Sequence, residues 1–175
     1  MGKKSSIENK NIYLICREEH DLTRAQASEL MEVVSESRIE KIESGKITAA
    51  PEDIVAMAEA YKQPRLCNHY CANECAIGKK TVPEVTVNNL SEITLGIVAS
   101  LNSLNNEKDR LIDIAVDGKL TPDELPDFLK IQKQLNNLSL TVEALKLWVS
   151  STIANGNIDK SSYEKFLKEA ENREK

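Results

Sequence analysis

The residues best equipped for chemistry lie in "CNHYCANEC", residues 67–75, which places Cys67, Cys71 and Cys75 at intervals of four with His69 between the first two. On a continuous helix this spacing lines the thiols along one face, with about 40° of drift per step. Structural zinc sites favour C-x2–4-C pairs with two further ligands set well apart. Three cysteines one turn apart supply three ligands only if the backbone bends, and the fourth would be His69 or the distant Cys16. An iron–sulfur cluster meets the same shortage, and the spacing differs from common cluster motifs. Three readings stay open: thiols packing a short helix between two domains, a zinc or iron–sulfur site, and a redox-responsive set.

Other chemistry is poorly represented. The chain has no glycine-rich phosphate loop, no G-x-S-x-G and no H-E-x-x-H, and His20 and His69 have no sequence-evident triad partners. No enzyme is expected. The basic N-terminus has no apolar run behind it, so no signal peptide is expected. No stretch reaches the 18–20 apolar residues of a membrane span. A cytoplasmic protein with reduced cysteines follows. The net charge is −5, with ten Lys/Arg against twelve Asp/Glu over residues 1–66. A generally basic nucleic-acid binder is thereby excluded, and any DNA contact must come from a local arrangement of charge.

Apolar content of 41% with only 4% aromatics and few alternating β-branched runs predicts an all-α fold. Four short helices are expected between residues 8 and 62. The first has Ile12, Ile15 and Cys16 on one side. The second starts at the N-cap Thr23, with Ala27 and Leu30 inward. The third starts at Ser35, turns Ile39 and Ile42 inward and ends at Gly45. The fourth has Pro51 in its first turn, carries Ile54, Val55, Met57, Ala58 and Tyr61, and stops before Pro64.

The stretch "LTRAQASELMEVVSESRIEKIESGK" (22–46) resembles the lambda-repressor-like, Xre-type helix-turn-helix family. Leu22-Thr23 opens the second helix, Ala27 supplies its small residue, Ser35 starts the third, and "RIEKIESGK" closes in the family's I-x-x-[IL]-E-x-G-K pattern. The resemblance covers about residues 9–65. The turn "MEVVS" departs from it, being one residue longer and lacking the usual glycine. "CNHYCANEC" is similar to a segment of Xre-type regulators from gut Firmicutes. The family likeness implies that the third helix enters the major groove of double-stranded DNA. Glu36, Ser37 and Lys41 would then read bases, Arg24 and Lys46 would hold phosphates, Arg38 would do either, and Glu43 would be structural.

Residues 78–87 read as a linker. Beyond them the apolar positions Leu90, Ile93, Ile97, Leu101, Leu104, Leu111 and Ala115 predict one long amphipathic helix, interrupted by an inward Lys108. Positions from Leu125 to Ile153 predict a second. "DGKLTPDELPDFL" (117–129) and "NGNIDKSSYEKFL" (155–167) repeat a helix-ending glycine followed by a capping Thr121 or Asp159, and lack the alternating oxygen ligands of a calcium loop. The expected organisation is a helix-turn-helix domain at 8–66, a cysteine-bearing connector at 67–87 and a long-helix hairpin or bundle at 88–172. That last region would join two copies into a homodimer, unless the short helix "SSYEKFLKEA" covers the seam within one chain. The expected function is sequence-specific transcription regulation by a DNA-binding dimer of a bacterial cytoplasm. The alternative is a protein-interaction or metal/redox sensor module whose helix-turn-helix no longer binds DNA.

Overall fold

The computed structural model describes residues 10–86 and 89–173, and the expected domain limits at residues 8, 87 and 88 lie outside them. The described residues form ten helices and no strand, in keeping with the all-α expectation. They divide into two compact units. One is the chain up to Glu84 together with the stretch from Val149, and the other is Val85–Trp148.

The first unit opens with α1 (Ile12–Glu19), α2 (Arg24–Met31), α3 (Glu36–Glu43) and α4 (Pro51–Ala60). Each start has a local cause. The Asn11 side chain accepts from Leu14 N, and Thr23 and Gln26 form a reciprocal capping box. Ser35 accepts from Arg38 N. Pro51 occupies the first turn of α4, where its missing N–H costs nothing. Gly45 takes the left-handed backbone (φ 70°) expected of it, while Asp21 and Lys62 fill the equivalent positions after α1 and α4.

The core of these four helices comprises Tyr13, Leu14 and Cys16 from α1, Ala27 and Met31 from α2, Ile39 and Ile42 from α3, and Ile54, Met57 and Ala58 from α4. Val34, Ala49, Tyr61 and Leu66 complete it. Leu30, expected to face inward, is exposed, as are Ile15 and Val55. Helices of eight to ten residues bury a stripe only two side chains wide, and Ala27 with Met31, or Ile54 with Met57, already fill it.

Helix α5 (Arg65–Asn73) follows, anchored by fully buried Leu66, and then α6 (Gly78–Thr81). A Cβ on Gly78 would lie 2.1 Å from the carbonyl oxygen of Cys71, so only glycine lets α6 turn back on α5. The chain after α6 is tied to α5 as well. Asn68 Nδ2 donates to Pro83 O at 3.0 Å, and His69 Nδ1 lies 3.1 Å from Glu84 Oε1. The stretch expected to be a linker therefore begins as helix and is held by hydrogen bonds as far as Glu84.

In the second unit the expected long first helix is two, α7 (Leu90–Asn106) and α8 (Lys108–Ala115). The break at Glu107 has a clear reason. A continuous helix would turn Lys108 inward, whereas after the break Lys108 is exposed and Ile114, not Ala115, is buried. Gly118 (φ 68°) ends this segment and Thr121 pairs with Glu124 ahead of α9 (Leu125–Ala154). Glu107–Lys130 (2.5 Å) and Arg110–Asp127 (2.7 Å) ion pairs link α8 to the start of α9. Gly96 of α7 allows close packing, since a Cβ there would stand 3.0 Å from Thr141 Cγ2. Ile93, Ile114, Ile131 and Ala144 are the buried residues here. In the first unit, Gly156 (φ 75°) precedes the last helix, α10 (Lys160–Arg173), which has no buried residue.

Candidate nucleic-acid interface

The turn between α2 and α3 determines how α3 is presented. Glu32 adopts φ 57° and ψ −40°, and Val33 N–H donates to Met31 O at 2.5 Å across it. This is the strained γ-turn of positive φ, made by a glutamate in a turn that contains no glycine. The extra residue leaves Val33 exposed at the tip, while Val34 drops into the core. The two helices are thus joined at a defined angle without glycine.

Helix α3 divides cleanly. Ile39, Ile42 and Glu43 face the interior, and Glu36, Ser37, Glu40 and Lys41 face solvent. Glu43 is buried between two cations. Arg17 Nε and Nη2 reach its two oxygens at 2.5 and 2.9 Å, and Arg24 Nε reaches Oε2 at 2.8 Å. Arg17 Nη1 also donates to Leu22 O at 2.6 Å. One carboxylate therefore ties α1, α2 and α3 together, and burial of charge is tolerable because the partners are close and hydrogen-bonded. Burial and the nearby Glu43 push the Tyr61 hydroxyl well above the ordinary phenol range, and among the described residues that oxygen has no hydrogen-bond partner.

The sequence-assigned cations are less free than their positions suggest. Arg38 Nε and Nη2 clamp Asp53 of α4 at 2.7 and 2.6 Å, and Ala50 N adds a third bond to that carboxylate at 2.7 Å. The Arg38 hydrogen bond holds Asp53 below the usual carboxylate range. Lys46 Nζ sits 3.4 Å from Glu40 Oε1 on the surface. Lys41 makes no ion pair among the described residues. Arg24, Ser35, Glu36, Ser37 and Glu40 line a depression of about 460 Å³ beside the start of α3. Glu40 and Asp53 were not singled out in the sequence. Glu40 lies one turn beyond Glu36, and Asp53 is the third residue of a helix that begins with proline, so both positions were readable from spacing.

The cysteines do not all lie on one helix. Cys67 and Cys71 lie in α5, but Cys75 lies beyond its end, and Cys16 is buried in α1 with Arg65 Nη2 3.4 Å from its sulfur. His69 is taken up by Glu84 and Asn73. Among the described residues no three His, Cys, Asp or Glu side chains are grouped so as to hold a metal. Burial raises the thiols of Cys16 and Cys67, whereas backbone N–H groups of Gly78 and Ile77 lower that of Cys75.

Residues 15–74 match the family model described as a helix-turn-helix domain. The N-terminal helices are a helix-turn-helix domain. The match spans α1 to α5 and so takes in Cys67 and Cys71 as part of the domain. No curated protein and no solved structure matches the chain. No helix among the described residues is long and apolar enough to cross a membrane.

Proposed function

We propose that this protein is an Xre-type transcription regulator of a bacterial cytoplasm that binds specific double-stranded DNA as a homodimer. The observation that carries the reading is the exposed face of α3 in a helix-turn-helix domain. Its inner side is locked in the core, and Glu36 and Ser37 in its first turn and Lys41 in its last stand outward. In the major groove Glu36 accepts from a cytosine N4 amino group and Lys41 donates to guanine O6 or N7. Arg24, steadied by Glu43 through Nε, offers its remaining N–H groups to a phosphate. Lys46 does the same once it leaves Glu40, an exposed pair worth only about 0–1 kcal/mol. Arg38, fixed by Asp53, contributes to the backbone contact with the nitrogen that is left.

Dimerisation through residues 88–172 is supported by apolar side chains that the second unit leaves in water. Leu95, Val98 and Leu101 of α7 and Leu129, Leu135 and Val142 of α9 are exposed. A second copy would bury such a surface and set two α3 helices about one DNA turn apart.

The test is a mobility-shift titration on genomic fragments at several salt concentrations, with light scattering for mass. Lys41→Ala should abolish preference among fragments, and Lys46→Ala should weaken all of them and reduce the salt slope by about one. If Arg24→Ala and Lys41→Ala variants bind as the parent does, the DNA-reading assignment is wrong. A monomer at micromolar concentration removes the dimer.

A further inference from the structure

The α2–α4 surface of the helix-turn-helix domain carries a second face that the DNA reading does not use. Leu30 at the end of α2, Val33 at the tip of the strained turn and Val55 of α4 are 60%, 79% and 51% exposed. With Ala56 they line a depression of about 450 Å³, which shares no residue with the depression beside α3. The two charged residues lining it are carboxylates, Glu52 and Glu59, and neither makes an ion pair among the described residues. They are seven residues apart on α4, about 10.5 Å along its axis, and they bracket Val55 and Ala56. Glu32, exposed beside Val33, adds a third negative charge.

We propose that this face is a docking groove for a partner protein's basic amphipathic helix. The helix would lie along α4, press an apolar stripe onto Leu30, Val33 and Val55, and set Lys or Arg residues two turns apart against Glu52 and Glu59. Stripes at i, i+3, i+4 and i+7 match a groove of this length. Charge selects this occupant over others. DNA and anionic lipid headgroups are repelled by the carboxylates. A second copy of the same face would set like charges opposite one another. The chain's own exposed helix α10 alternates Lys160, Lys165, Lys168 and Arg173 with Glu164, Glu169 and Glu171, so it has little net charge to offer. The strained Glu32 turn keeps Val33 in water, as a contact surface requires. Because the two depressions are separate, the partner and a ligand on α3 can be held together. The proposal does not depend on the DNA reading.

The experiment uses the full-length, isotope-labelled protein and two synthetic 16-residue peptides with the same leucine stripe. One is flanked by lysines seven positions apart and the other by glutamates. The lysine peptide should shift the amide signals of Leu30, Val33, Val55 and Glu59. Val33→Asp should weaken it at least tenfold, and Glu52→Gln with Glu59→Gln should weaken it and flatten its salt dependence. Leu30→Ser, at an exposed helical position, repeats the test without touching the turn, and circular dichroism confirms that each variant is folded. The proposal is overturned if both peptides bind equally, if the shifts fall on the C-terminal helices instead, or if Val33→Asp and Leu30→Ser bind as the parent does. Concentration-dependent self-association abolished by Val33→Asp would assign the face to a second copy and overturn it too.

Discussion

Glu43 receives Arg17 through both of its carboxylate oxygens, at 2.5 and 2.9 Å, inside the helix-turn-helix core. Arg24 joins the same carboxylate from α2. Removing the shared acceptor leaves one buried and one half-buried cation without a partner. Glu43→Ala should therefore destabilise the domain by about 3–5 kcal/mol, and Glu43→Gln by less, measured by urea denaturation. Were Glu43→Ala to cost under about 1 kcal/mol, the cluster would have no structural role.

The Arg38–Asp53 clamp predicts an acid-sensitive element. Asp53 has its pKa depressed in the folded state, chiefly by Arg38, so its contribution to stability is present above the unfolded carboxylate range. It is lost as pH falls through the folded value, which lies below the ordinary carboxylate range. Thermal melts from pH 7 to pH 2.5 should show a steeper acid-side loss in the parent than in Arg38→Ala, with the two curves converging at the lowest pH.

Glu32 sits where an L-residue is strained. Glu32→Gly should stabilise the protein by about 1 kcal/mol, because relief of the positive φ outweighs the chain entropy that glycine adds. A melting temperature that falls on this substitution would show that the turn is not strained.

At Gly78 the opposite holds. Gly78→Ala drives a methyl group into the Cys71 carbonyl, and the α5–α6 corner must open. Amide exchange in residues 71–84 should accelerate, with a stability loss of about 1–3 kcal/mol, while protection of α2 and α3 stays as in the parent.

The cysteines should alkylate in a set order at neutral pH. Cys75, whose thiol is lowered by two backbone N–H groups, reacts first with iodoacetamide, and Cys16, buried and raised, reacts last. Peptide mass spectrometry of a quenched time course reads this directly.

Capping residues, the glycine turns and the small Ala27 were legible in the sequence because each acts through its own backbone within one turn of chain. The inward assignment at Leu30 failed for a different reason. Periodicity marks which residues are apolar and says nothing of how many a short helix can bury, so Met31 took the place expected for Leu30. The glutamate γ-turn was illegible because it depends on Val34 being drawn into the core against local preference. The Arg17–Glu43–Arg24 cluster joins residues up to 26 positions apart, and no local pattern announces such a meeting. In the cysteine segment, spacing suggested one face of one helix, but α5 ends at Asn73 and the Gly78 contact folds Cys75 away from that line.

Helix α3 is only eight residues long, about 12 Å, a length that spans three to four base pairs. Counted as information, that is about six to eight bits, whereas choosing one address among a million competing sites takes about twenty. As a DNA reader, a single head of this kind would be an ambiguous word. It would gain meaning only when a second word is read at a fixed distance on the same line.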